Sequence, residues 1–282
     1  MSERSLKYII TNHYREIDKF IKKVNKNFHP ESIHQLRVRY KKLRAFLRMV
    51  SVKNECGKKI NLPKKLKNAY HIAGEIRDLQ LQRQRLLTIK KEEIKPVKAY
   101  NKILQLNIQK LKEKFKRISL GKTIKKSTGK AKLFAGEKIN TTCAGKFIQD
   151  NAAAIIAIIT SGSLTDAYIH EIRKRLKDIF YTIDTFEDAN KKLEFSDSAI
   201  APNEMKYFDG LLDELGNFQD SITSLALLNA DWLNLLSTED REALISIKET
   251  FNAEKNVLKN DIENKLRNEL ILKLQIFLLP VA

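Results

Sequence analysis

A short basic pattern headed by a histidine occurs twice in the chain, and this duplication is the strongest constraint on its fold. In each copy the cationic residues recur at helical spacing. They stand at His34, Arg37, Lys41, Arg44 and Arg48 in the first copy and at His170, Arg173, Lys174 and Lys177 in the second. A glycine and, four residues on, an aspartate follow each copy, at Gly74 and Asp78 and at Gly216 and Asp220. Such internal similarity predicts two similar half-domains.

The spacing of the first copy predicts an α-helix with two stripes. Residues three or four apart lie on one face of a helix, so the cations form one stripe. Ile33, Leu36, Tyr40, Leu43 and Leu47 form an adjacent apolar stripe that can face a core. Like charges at i,i+4 repel by ~0.2–0.5 kcal/mol per pair, and a bound anion would relieve that repulsion. A solvated charged face is the alternative interpretation.

Composition favours an all-α protein that attracts polyanions. Only 9 of 282 residues are glycine and 5 are proline, and long stretches have helical periodicity. Residues 1–150 hold 39 lysines and arginines against 12 acidic residues, a balance of +27, whereas residues 151–282 hold 14 against 22, a balance of −8. Such a field attracts nucleic acid, polyphosphate and anionic membrane surfaces alike.

Three segments are predicted along the chain. Residues 1–118 form a strongly basic helical half, residues 119–145 a Gly- and Lys-rich connector, and residues 146–282 a second helical half. The glycines, lysines and threonines of the connector predict an exposed, mobile segment. A final long helix is predicted between Thr238 and Leu279.

No feature of the sequence suggests secretion or membrane insertion. The first residues, Met-Ser-Glu-Arg-Ser, lack the apolar run of a signal peptide, and no apolar window approaches the ~20 residues of a spanning helix. Cys56 and Cys143 are expected to be free thiols in a reducing compartment. We therefore expect a cytoplasmic protein.

At the duplicated motifs the chain resembles the CHAD family, the conserved histidine α-helical domain. The first family motif is met by His34, Arg37, Val38, Lys41, Lys42, Leu43, Arg44, Leu47 and Arg48, with lysine twice in place of arginine. The Gly74-x-x-Arg77-Asp78 segment resembles the family's Leu-Gly-x-x-Arg-Asp turn. The second motif is met by His170, Arg173, Lys174, Lys177 and Tyr181. It fails at Phe180, where the family usually has arginine.

The resemblance implies two four-helix bundles related by a pseudo-twofold repeat, with a basic central groove or pore that binds inorganic polyphosphate. The motif cations, Lys42 included, would hold the phosphates, since arginine can bind phosphate oxygens with two hydrogen bonds and lysine acts as a point charge. Because Phe180 removes a cation from the second motif, we expect the first half to dominate binding. Polyphosphate granules are then the expected place of association.

The roles of several motif residues stay open at this point. His34 and His170 could donate to phosphate when protonated, or could bond a carbonyl or an aspartate at a helix start. Asp78 and Asp220 are expected to orient motif arginines or histidines, with Arg77 and Tyr181 in support. Ordinary helix surface is an equally good interpretation of both aspartates. Neither a metal site nor a cofactor is expected.

We expect a non-catalytic binding module, because no Ser/His/Asp, Cys/His or clustered-carboxylate pattern stands out. The alternative is a general nucleic-acid-binding basic helical protein, which shares the charge argument. Single-strand binders usually interleave aromatic and basic side chains, whereas the aromatic residues here mostly fall on apolar stripes. A phosphohydrolase is a third possibility, which metal-dependent phosphate release would reveal.

Overall fold

Helices account for most of the residues that a computed structural model describes, namely residues 6–52, 60–87, 94–134, 141–188 and 202–278. No β-strand occurs within these ranges. The all-α class is therefore confirmed. The pseudo-twofold repeat remains a prediction.

Eleven α-helices follow one another in the described ranges. They are α1 (Leu6–Asn27), α2 (Pro30–Val52), α3 (Lys64–Leu86), α4 (Ile94–Lys116), α5 (Gly121–Phe134), α6 (Thr141–Thr160), α7 (Asp166–Asp188), α8 (Pro202–Leu227), α9 (Ala230–Leu233), α10 (Thr238–Lys265) and α11 (Ile271–Leu274). A π-helical turn, Leu266–Leu270, joins α10 to α11, and a 3₁₀ turn, Gln275–Phe277, follows. The predicted final long helix is confirmed, with this irregular end.

The two motif helices, α2 and α7, begin as their sequences dictate. Pro30 is the first residue of α2, where its missing N–H costs no helical hydrogen bond. The hydroxyl of Thr165 accepts a hydrogen bond of 3.2 Å from the backbone N–H of Tyr168, which caps the first turn of α7. The apolar stripe of α2 is buried, with Ile33 and Leu43 fully inaccessible.

The expectation of an exposed, irregular connector over residues 119–145 is wrong for most of that range. α5 occupies Gly121–Phe134, and α6 begins at Thr141. Leu120, Ile124 and Ala131 are buried in a core shared with α1. Gly121 and Gly129 do not break the helix, because both are exposed and face open space. Residues 135–140 lie outside the described ranges.

The described residues form two apolar cores. The first core contains residues from both sides of the predicted boundary between the halves. The first core unites α1 to α5 with Leu244, Ile247 and Phe251 from α10. The second unites α6, α7 and α8 with the C-terminal run from Ile262 to Phe277. α10 therefore closes the first core with its early turns and enters the second with its last turns.

Ion pairs hold α2 against α7 at two places. The Nζ of Lys42 lies 2.6 Å from the Oδ2 of Asp184. The guanidinium of Arg48 pairs with the carboxylate of Asp178, whose side chain is 3% exposed. A carboxylate so deeply buried is costly unless a cation accompanies it. The pairs therefore fix the position of one motif helix on the other.

We predict that Arg48→Met destabilises the protein by about 1–3 kcal/mol, because it leaves Asp178 buried without its partner. The loss stays below that of a fully buried pair because Arg48 is half exposed and screened by water. Urea denaturation measures the effect. Arg48→Met combined with Asp178→Asn should be more stable than Arg48→Met alone, and purely additive losses would show that the pair contributes nothing.

Candidate anion-binding site

Side chains of α2, α3, α7 and α8 line an open cavity of about 430 Å³, called here the basic cavity. Its cationic lining comes from both motif helices: Arg37, Lys41 and Arg44 from α2, and His170, Arg173, Lys174 and Lys177 from α7. Tyr70, His71, Gly74, Glu75, Asp78, Asp178, Tyr181, Gln219, Asp220 and Thr223 complete it. The duplicated motifs thus converge on one cavity.

Three of the cationic residues expected at the site lie outside the lining of this cavity. Lys42 and Arg48 are the cations of the two α2–α7 ion pairs. His34 is exposed on α2. These three therefore belong to the surroundings of the cavity, and the ion pairs account for two of them structurally.

Arg37 crosses α3 at Gly74. Its Nη1 donates a hydrogen bond of 3.3 Å to the carbonyl oxygen of Tyr70, and its guanidinium carbon lies 4.8 Å from the centroid of the Tyr70 ring. That ring stacks on Tyr40 at 4.1 Å. A methyl group at position 74 would overlap the guanidinium. The motif glycine lies inside α3 rather than in a turn, and close approach of Arg37 is what requires it.

The second motif repeats this arrangement more loosely. A Cβ atom at Gly216 would lie 3.3 Å from the Nη2 of Arg173. The Nε atoms of Arg173 and Arg44 are buried and have no hydrogen-bond partner. Buried, unsatisfied donors are unfavourable, so these two arginines of the cavity lining are not fully satisfied by the protein itself.

Burial, together with neighbouring cations, lowers the pKa of two lysines in the cavity. Burial lowers the pKa of Lys41 to about 6, and the positive charges of Lys177, Arg37 and Arg173 add to the effect. Burial also lowers the pKa of Lys177 to about 8, with Arg173 as the main repelling charge. Neither lysine has an ion-pair partner within the described ranges. A bound anion would raise both pKa values.

One carboxylate accompanies each motif arginine. Burial raises the pKa of both Asp78 and Asp220. The strongest opposing charge is Arg37 for Asp78 and Arg173 for Asp220, and Arg77 also favours the charged form of Asp220. This electrostatic proximity is consistent with the hypothesis that the aspartates orient the arginines, which stays a prediction.

The two motif histidines differ in position. His170 lies in the cavity lining, next to Gln219, whose hydrogen bond opposes the lowering of its pKa by burial. Burial also lowers the pKa of His34, and the charges of Arg77 and Lys41 contribute to the decrease. Only His170 is therefore placed to contact an anion in the cavity.

The reason for expecting lopsided binding does not hold at the cavity. Phe180 is 6% exposed and lies in the second core, with its ring centroid 4.8 Å from that of Phe208. The position faces away from the cavity, to which α7 contributes three lysines and arginines, as many as α2 does. We therefore replace that expectation with one of comparable contributions from both helices, which binding measurements can test.

Sequence reasoning missed several polar lining residues, namely Tyr70, His71, Glu75, Gln219 and Thr223. Their positions could have been found from the two motif glycines and aspartates. On α3, residues 70, 71, 74, 75 and 78 share one helical face. On α8, residues 216, 219, 220 and 223 likewise share one helical face.

No group of three or more histidine, cysteine, aspartate or glutamate side chains is placed to hold a metal ion in the ranges that the structure describes. Among the described helices, none combines the length and apolarity needed to cross a membrane.

Comparison with known proteins relates the chain to one family. A model of the CHAD domain family matches residues 8–229. The crystal structure of the CHAD domain from the plant Ricinus communis is similar, with a TM-score of 0.62 and 15% sequence identity over 98% of this chain and 91% of that one. At this identity the likeness concerns the fold. No curated protein matches the chain in sequence.

We predict that Gly74→Ala lowers the affinity for a labelled polyphosphate about tenfold or more, since the methyl group displaces Arg37 and one charge-assisted contact is lost. Gly210→Ala is the matched control, because position 210 of α8 faces open space. The control should keep the affinity and gain ~0.5–1 kcal/mol of stability. Equal affinity in both variants would contradict the role assigned to Gly74.

Stability is expected to rise between about pH 7 and pH 9 through Lys41. Its pKa is about 6 in the folded protein against an ordinary 10.5, so the unfolded chain binds more protons in this window. The free energy of unfolding then increases by up to about 1.4 kcal/mol per pH unit. Urea denaturation of Lys41→Met should give a flatter profile. Identical slopes would mean that Lys41 stays protonated in the fold.

Proposed function

Because this chain belongs to the CHAD domain family, we propose that its basic cavity binds inorganic polyphosphate and performs no chemistry on it. The observation that carries the proposal is the convergence of both motif helices on one cavity. There Arg37, Lys41 and Arg44 face Arg173 and Lys177, and none of the five is ion-paired within the described ranges.

The chemistry of the cavity suits a phosphate chain. Polyphosphate carries close to one negative charge per unit and presents no bases, so its recognition needs donors and charge rather than a sequence code. The unsatisfied Nε atoms of Arg44 and Arg173 are donors of the required kind. Lys41 and Lys177 add point charges that strengthen once an anion restores their protons.

Aromatic side chains at the cavity do not favour a nucleic acid. Stacking of bases needs free aromatic faces beside the cations. The ring of Tyr70 is already engaged by Tyr40 and Arg37, and the Nζ of Lys42 lies 5.7 Å from the centroid of the Tyr181 ring. General nucleic-acid binding therefore remains the alternative that the charge alone supports.

The carboxylates of the cavity also favour binding over catalysis. Burial raises the pKa of Asp78 and Asp220, and the charges of Arg37 and Arg173 oppose that rise. We propose that they orient arginines rather than take part in hydrolysis. Release of phosphate from polyphosphate in the presence of Mg²⁺ or Mn²⁺ would contradict this part of the proposal.

Competition binding over a salt series tests the proposal. Labelled long-chain polyphosphate is challenged with mass-matched double-stranded DNA, single-stranded RNA and tripolyphosphate. Every polyanion loses affinity with salt, so the comparison is made at physiological ionic strength. Preference for polyphosphate by orders of magnitude is expected. Equal competition by nucleic acid would identify a general anion surface instead.

Single substitutions then locate the site. Arg37→Ala and Arg173→Ala should each weaken polyphosphate binding about tenfold to a hundredfold, because each removes a charge-assisted interaction of ~1.5–3 kcal/mol. Arg15→Ala removes an exposed cation from α1 that bonds only Asn12 nearby, and it is the control. A loss confined to Arg37→Ala would support the original expectation that the first half dominates binding. A loss in the control equal to both would place binding outside the cavity.

A further inference from the structure

A second row of cations lies outside the basic cavity, on α4 and the residue that follows it. This α4 row consists of Lys110, Lys114 and Arg117, all exposed. Steps of four and three place them on one helical face, at a rise of ~1.5 Å per residue along the axis. No carboxylate pairs with them among the described residues, whereas Lys116 on the neighbouring face pairs with Glu113 at 3.4 Å.

The α4 row is continuous with the basic cavity. Lys110 and Lys114 line a cleft of about 340 Å³ between α3, α4 and α8. Three of its lining residues also line the basic cavity: Glu75, Asp78 and Thr223. Lys114 and Arg117 line an adjoining cleft of about 410 Å³, again with Glu75. An anionic chain that leaves the basic cavity past Glu75 therefore meets the α4 row directly.

Exposed lysines are commonly no more than a solvated surface, and α4 itself provides the comparison. Lys98 and Lys102 are exposed on the same helix and do not occur among the lining residues of the basic cavity or of the two clefts. The α4 row differs from them in its position, because it faces clefts that open from the cavity. Position, rather than charge alone, distinguishes it.

Glu75 favours long anionic chains over short ones at the passage from the basic cavity to the α4 row. Its exposed carboxylate stands between the basic cavity and the α4 row and repels any anion that passes. An anion that fits within the basic cavity gains nothing by crossing it. A longer chain gains three cations on passing Glu75 and Asp78, and the second contact forms at high effective concentration because the first already holds the chain.

We propose that the α4 row is a second phosphate-binding subsite, which holds the outer part of a polyphosphate chain whose inner part lies in the basic cavity. The protein then selects long chains over short ones. This inference rests on the proposed function and adds to it a chain-length preference with named residues.

Two triple variants test the inference. Lys110→Ala/Lys114→Ala/Arg117→Ala removes the α4 row. Lys122→Ala/Lys125→Ala/Lys126→Ala removes the same charge from the exposed face of α5, which lines none of these clefts. Affinities for tripolyphosphate and for long-chain polyphosphate are measured at one ionic strength. Thermal melting and circular dichroism verify that each variant folds.

The α4 variant should lose about tenfold or more in affinity for the long chain and keep its affinity for tripolyphosphate within about twofold. The α5 control should change both affinities by less than about threefold, as expected for distant, screened charges. An unchanged ratio of long-chain to short-chain affinity in the α4 variant would overturn the inference. So would an equal fall of that ratio in the control.

Glu75→Gln gives an independent readout of opposite sign. Removal of the repelling carboxylate should raise the affinity for long-chain polyphosphate by more than the affinity for tripolyphosphate. Equal changes in these two affinities would contradict a chain that runs past Glu75 to the α4 row. Measurements on the wild-type protein distinguish failure of the proposed function from failure of the second subsite. If it fails to prefer polyphosphate over nucleic acid, the proposed function fails; if it has that preference but the α4 variant retains the length dependence, only the second subsite fails.

Discussion

Where α2 and α7 face each other, two rows of cations share one cavity, and their mutual repulsion is the constraint to which the surrounding structure responds. Burial lowers the pKa of Lys41 to about 6, and the neighbouring cations add to that decrease. Asp178, at the cavity wall, and Asp184 of α7 attract Arg48 and Lys42 of α2. Ion pairs thus join the two helices where they are in contact, and the basic cavity between them keeps lysines and arginines without ion-pair partners among the described residues. Such an arrangement keeps a cavity ready for anions without neutralising it.

Helical periodicity made the motif helices and their faces predictable. The buried stripe of α2 and the cationic stripe beside it follow from residue spacing alone, because both depend only on local geometry. The segments around Gly74 and Gly216 were also recognised as important. Their structural reason was not, since the need for glycine inside α3 arises from Arg37, a side chain on another helix.

Features that depend on the relative position of distant segments escaped prediction. Asp178 and Asp184 pair with cations of the other motif helix in the fold, a role that spacing within α7 does not reveal. The direction of Phe180 is likewise set by the packing of the second core. α5 was missed because its glycines suggested a loop, whereas they occupy the exposed side of a helix whose other side is buried.

The sharing of α10 between the two cores bears on the order of events during synthesis. Leu244, Ile247 and Phe251 complete a core otherwise built mainly from the first five helices. On the ribosome those helices emerge long before α10, so part of their apolar surface stays open to solvent until α10 has been made. Late, non-local closure of this kind slows folding and exposes an aggregation-prone intermediate. Nascent chains of this protein are therefore expected to need chaperone protection until α10 has docked.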